Sequence, residues 1–176
     1  MAMRVTRSRK LLNARREGSS AVEFAMIALP FAFMMFSVVE VAFVFVLDST
    51  LENAVIETGR LVRTGQAERA NYTLSEFKDG VCSRMSAFGV GCSTKLTVDV
   101  QVIPQFTNPN PRDPFAGGQT PTSSYDGGEP GNLMLVRAWY RHTLFTPFLQ
   151  QGLSRFKDGT AYLSATTAFR NEPWNG

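Results

Sequence analysis

The sequence predicts an α+β chain. A long N-terminal helix crosses a membrane and continues into a small extracytoplasmic head with a short antiparallel sheet. Three observations predict it. An almost unbroken apolar run covers residues 21–47 behind a basic N-terminus, and residues 48–65 then keep helical spacing. Further on, the apolar period falls from that of a helix to two.

The charge is unevenly spread. Arg4, Arg7, Arg9, Lys10, Arg15 and Arg16 stand against Glu17 in the first 17 residues, whereas the whole chain has 18 basic and 15 acidic side chains. The rest of the chain is therefore slightly acidic. The formal charge of +3 comes from the N-terminus alone, so no basic face is left for nucleic acid. Fourteen Phe, with ample Val, Leu and Ile, argue against a disordered chain.

Phe24–Val39 contains no charged residue; Glu40 interrupts, and Val41–Leu47 resumes the apolar run. A bilayer core of about 30 Å needs roughly 20 helical residues, and Phe24–Leu47 supplies 24. The basic residues keep the N-terminus in the cytoplasm, which puts everything after Leu47 on the far side. A cleaved secretory signal does not fit: the apolar stretch is too long, and Asp48-Ser49-Thr50-Leu51-Glu52 follows it instead of a small-residue site. Pro30 removes one backbone hydrogen bond inside the helix and tends to kink it, which membrane helices tolerate. Glu40 lies about 29 Å along a slab that begins at Ala21, near the far interface, or inside a slab that covers Phe24–Leu47. An acid inside the membrane is a functional candidate.

The cytoplasmic edge reads Arg15-Arg16-Glu17-Gly18-Ser19-Ser20-Ala21-Val22-Glu23-Phe24. A basic leader ends in Gly18; Glu23 and Phe24 follow at the start of the apolar run. This resembles a type IV prepilin processing site, cut between Gly18 and Ser19 by a membrane aspartyl peptidase. Glycine has no Cβ and lets the scissile backbone enter a tight site extended. The cut leaves the apolar helix on the mature chain and frees an amine at Ser19. Glu23, one helical turn on, reaches that amine in cis, or a neighbour's in trans. A carboxylate among packed apolar helices needs such a partner. The plain alternative is an acid favoured at a helix start.

Ser20–Pro30, the continuation Val38-Val39-Glu40-Val41-Ala42-Phe43, the polar helix with Asn53-Ala54 and Gly59-Arg60, and the end Ala165-Thr166-Thr167-Ala168-Phe169-Arg170-Asn171-Glu172-Pro173 together resemble the TadE-like proteins of the tight-adherence (Flp) pilus system. The resemblance is specific over residues 15–65 and looser at the C-terminus. It implies a pilin-like plan and a minor pilin or pseudopilin needed for pilus assembly. The implied partners are a prepilin peptidase, other pilins and the inner-membrane assembly machinery. The implied place is the bacterial inner membrane, with the N-terminus cytoplasmic and the head periplasmic or carried into the pilus.

The polar half of the helix carries Leu51, Val55, Leu61 and Val62, with Ala54 and Thr58 between them. One helix is expected from about Ser20 to Thr64, stopped by Gly65. Leu74, Phe77, Val81 and Met85 predict a second helix over 74–85, weakened by Gly80. Cys82 and Cys92 are the only cysteines. Their compartment lets disulfides persist, and a small loop of this kind stabilises by roughly 2–3 kcal/mol. A redox pair would be spaced Cys-x-x-Cys.

Leu96, Val98, Val100 and Val102 alternate with Thr97, Asp99 and Gln101 as in a strand. Pro104–Asn132, rich in Pro and Gly, is expected as a long, partly mobile loop. Leu133–Leu144 and Ala161–Arg170 complete a three-stranded antiparallel sheet, with a short helix over 146–152. Leu74–Gly80 echoes Leu153–Gly159 through Phe-Lys-Asp-Gly, a helix end leading into a turn. The expected plan is a basic leader (1–18), a long helix (19–65, span about 21–47) and an α+β head (66–176).

No nucleophile elbow, phosphate loop or metal-ligand spacing occurs in the sequence. His142, the single histidine, reads as an ordinary exposed strand residue, and Asp126-Gly-Gly-Glu129 lacks the ligand count of a calcium loop. No catalytic residue, metal, cofactor or small-molecule substrate is expected. Two functions stand: a processed minor pilin or pseudopilin, or an uncleaved single-pass scaffold of a pilus or secretion machine.

Overall fold

The computed structural model describes residues 5–85, 91–107, 109–116, 120–153 and 159–174, with side chains from residue 20 onward except 148. The chain divides into two units, Met1–Val41 and Ala42–Gly176. Helix α1, Val5–Arg63, runs through both. It therefore starts earlier than the expected Ser20. Lys10-Leu11-Leu12 and Ala14-Arg15-Arg16-Glu17 are mostly good helix formers without proline, and Gly18 costs a helix only about 1 kcal/mol.

In the first unit, nearly every described side chain up to Val39 is exposed, with large apolar residues on all sides: Phe24, Met26, Ile27, Leu29, Phe31 and Phe33 among them. Such a helix has no core of its own to join. Ser20–Arg63 is the one helix among the described residues long and apolar enough to cross a membrane.

The second unit is the head. Leu47, Leu51, Ala54, Val55, Thr58 and Val62 form a buried stripe on α1 at three- and four-residue spacing. Gly65 ends the helix at φ +69°, with its N–H donating to the Val62 carbonyl at 3.0 Å. A left-handed residue is costly for any side chain, and glycine removes that cost. A short helix α2, Gln66–Arg69, leads to α3, Leu74–Met85, within the range the sequence predicts. Thr73 and Glu76 cap α3 reciprocally: the Thr73 N–H donates to Glu76 Oε2 at 2.6 Å, and the Glu76 N–H to Thr73 Oγ1 at 3.4 Å. These bonds hold the Glu76 carboxyl below its ordinary pKa. Gly80 has a packing reason: a Cβ there would lie 3.1 Å from Thr58 Cγ2 on α1.

Cys82 and Cys92 form a disulfide, their Cα atoms 5.7 Å apart. It ties α3 to the one-turn helix α4, Cys92–Lys95, which opens into strand β1, Leu96–Ile103. The sheet has four strands in the order β2-β1-β3-β4. Strand β3 covers Leu133–Thr143 and β4 Thr160–Arg170, and α5, Pro147–Leu153, lies between them. The β1–β3 and β3–β4 pairs are antiparallel, as expected. Strand β2, Ser124–Tyr125, was not expected; it lies within the 104–132 segment and pairs with β1 in parallel. The sheet is therefore mixed. A two-residue strand leaves no period to read. Phe77–Gly80, the first copy of the Phe-Lys-Asp-Gly echo, lies inside α3 and not at a helix end, and the second copy lies largely outside the described residues.

Register sets the faces. Leu96, Val98 and Val100 on β1, Met134, Val136, Ala138 and Tyr140 on β3, and Ala165 on β4 join α1 and α3 in one core. The opposite face carries Asp99 and Gln101 beside Arg137 and Trp139, and residues 112–115 pack over it. A closing strap follows β4. The Glu172 N–H donates to the Arg63 carbonyl at 2.9 Å, and Trp174 covers Gly65.

Candidate processing and assembly site

The residues singled out at the membrane edge all lie on α1. Gly18 and Ser19 are helical in backbone, within a helix unbroken from Val5. Glu23 and Phe24 follow at exposed positions on the same helix. Ser19 and Glu23 are four residues apart, about 6 Å along the axis and on neighbouring points of one face. Phe24 opens the exposed apolar run that continues past Phe36. Glu40, the other acid, is only 8 % exposed, in contrast to the apolar residues before it. The structure thus groups Ser19, Glu23 and Phe24 at one end of the run and sets Glu40 apart, 17 residues further along the chain.

The arrangement offers one carboxylate, Glu23, at the head of a long apolar surface, which can hold a charge pair between helices. Among the described residues, no group of three or more His, Cys, Asp or Glu side chains could hold a metal ion.

Residues 18–60 match the family model of the TadE-like proteins. The TadE-like segment thus begins on Gly18 and ends on Arg60, and it holds Ser19, Glu23, Phe24 and Glu40. The TadE-like family implies a role in the tight-adherence pilus system, as a structural component and not as a known kind of enzyme. No curated protein and no solved structure matches the chain. The TadE-like segment lies wholly within α1.

Two features of the head escape a reading by sequence. The first is a buried ion pair. Arg137 Nη2 donates to Asp99 Oδ2 at 2.6 Å, and its Nε reaches the same oxygen at 3.2 Å. The side chains are 14 % and 3 % exposed. Ser124 Oγ donates to Asp99 Oδ1, Gln101 Nε2 donates to Oδ2, and Arg137 also donates to the Arg112 carbonyl. Alternation in β1 marks Asp99 as facing away from the core, and the distant segment that buries it carries no such mark. The second is Asn171. Its Nδ2 donates to the carbonyls of Gly127 and Glu129, both at 3.1 Å, which pins the loop to the end of β4. His142 lies on the helix-facing side of β3, between the rings of Phe43 and Phe145.

Proposed function

We propose that the protein is a minor pilin or pseudopilin of a tight-adherence pilus, cut by a prepilin peptidase between Gly18 and Ser19. The observation that carries this reading is the coincidence at Gly18: the TadE-like match starts there, at the junction of a basic leader and the apolar helix. After the cut, the helix from Ser19 onward anchors the protein with its head in the periplasm. The same helix packs sideways against those of other pilins, its Ser19 amine met by a Glu23 carboxylate. The partners on this reading are the peptidase, the other pilins and the inner-membrane assembly machinery. The Cys82–Cys92 disulfide supports a head outside the cytoplasm.

One observation favours the scaffold reading. Helix α1 continues through Gly18 and Ser19, and a peptidase requires that segment extended. Gly18 lowers the cost of opening it, since glycine is among the weakest helix formers.

The separating experiment uses Glu23→Ala. The peptidase acts on the glycine and the leader, so the variant is expected to be cut and to reach the membrane at normal level. It loses the carboxylate that answers a buried amine, and an unpaired buried charge costs several kcal/mol. The expected result is a processed protein that no longer co-purifies with its pilin partners, with Glu23→Gln intermediate. A Glu23→Ala protein that associates and supports piliation like wild type makes Glu23 an ordinary helix-start acid and favours the scaffold.

A further inference from the structure

Phe145 is 80 % exposed, more than any other large apolar side chain on the described surface, including those of the apolar helix. Leu144 beside it is buried, and Gln150 Nε2 donates to the Leu144 carbonyl at 2.7 Å. The turn is thus fixed in place, and the ring is held outward. From His142 to Leu153 the sequence has no charged residue, and Leu153 is also exposed. A contiguous exposed apolar patch marks a site of contact with a partner or a membrane.

The position of the turn indicates which partner. The His142 ring lies tilted against Phe43 with centroids 5.7 Å apart, and meets Phe145 edge-on at 6.4 Å. One imidazole therefore separates Phe145 from the last stretch of apolar α1. On that stretch Leu47 is buried in the head, while Phe43, Phe45 and Val46 keep apolar surface outward. The apolar surface of the helix thus runs down beside the head as far as the 142–153 turn, all within the unit Ala42–Gly176.

We infer that this turn rests on the outer surface of the bilayer, with Phe145 inserted at the lipid boundary as a second membrane contact of the head. The inference rests on the reading of α1 as a membrane span. Apolar side chains on such surface elements enter about 5–10 Å into the headgroup and acyl boundary. The occupant is lipid because the patch is continuous with helix surface that lipid already covers on that reading. A second contact would fix the tilt of the head over the membrane, which a single helix leaves free to rotate.

The test places a nitroxide at Phe145→Cys in the full chain, reconstituted in vesicles of phosphatidylethanolamine and phosphatidylglycerol. Phe33→Cys reports the span and Ser164→Cys, on an exposed face of β4, reports water. The native cysteines are disulfide-bonded and take no label. The expected result is that oxygen collides more than a water-soluble nickel chelate with the labels at 145 and 33, and that the order inverts at 164. A label at 145 open to the chelate, with 33 in lipid, overturns the inference and leaves the span intact. A label at 145 shielded from both reagents overturns it in favour of a protein partner. A label at 33 open to the chelate removes the span reading and the inference with it.

Discussion

Asp99 and Arg137 face each other across β1 and β3 in a row of the sheet directed away from the core. Their pairing is buried, hydrogen-bonded on both carboxylate oxygens and joined to the Arg112 backbone. Replacing a buried ion pair by apolar groups is often neutral, whereas removing one member strands a charge at about 3–5 kcal/mol. Arg137→Met is therefore expected to lower the free energy of unfolding by about that amount, measured by urea denaturation of the full chain in detergent. The double variant Asp99→Leu with Arg137→Met is expected to recover most of the loss. Equal losses in the single and double variants would mean that the pair contributes little beyond packing.

Tyr125 behaves differently because it is uncharged at neutral pH. Burial first, and then the charges of Glu68, Asp126 and Glu76, push its hydroxyl up from 10.0 to about 12. The folded state thus holds the proton more tightly than the unfolded one. The resulting stability is fully present below pH 10 and is lost as the pH rises through about 12. Burial also raises Tyr140, which adds in the same direction. Denaturation midpoints recorded across this range are expected to fall less steeply in Tyr125→Phe than in wild type. Parallel curves would remove Tyr125 as a source of the alkaline loss.

At the scale of elements, Gly65 joins two constraints: its φ of +69°, and Trp174, whose ring lies 2.4 Å from where a Cβ would stand. Gly131 has a φ of +83° with nothing within 4 Å. Gly131→Ala is therefore expected to cost the backbone term alone, about 1–2 kcal/mol. Gly65→Ala is expected to cost more and to change the fluorescence of Trp174 as the strap lifts. Equal costs with unchanged fluorescence would show that the strap contributes nothing to the end of α1.

The elements were legible where one residue pattern determined them. Leu74, Phe77, Val81 and Met85 mark α3 because their spacing is that of a buried helical stripe. Leu96, Val98 and Val100 mark β1 by the same logic at period two. Strand β2 was hidden because Ser124 and Tyr125 pair through backbone groups that any residue offers. The start of α1 at Val5 was hidden because the Gly18 boundary separates composition and not backbone state. At the candidate site, Gly18, Glu23 and Phe24 were singled out by their resemblance to a prepilin processing site, and the structure adds only that all three lie on α1. The exposure of Phe145 depends on the fold of the head, which local sequence does not encode.

The whole molecule joins a helix exposed on all sides to a head with its own core. The first has no internal reason to be stable in water, since its large apolar side chains from Val22 to Phe36 meet no core. The second is closed by the disulfide, the Asp99–Arg137 pair and the strap on Gly65. Such a division suits a protein whose helix is exchanged between bilayer and assembly while its head stays folded. On the proposed reading, removal of the leader before Ser19 supplies the amine that Glu23 meets in the bundle.

The most direct measurement is the intact mass and N-terminal residue of the protein purified from its native membranes. The account predicts Ser19 as the first residue. It also predicts that Gly18→Leu accumulates a species about 2 kDa heavier, from an 18-residue leader at roughly 110 Da per residue. A wild-type protein that begins at Met1, or at Ala2 after Met removal, with a mass unchanged by Gly18→Leu, would contradict it.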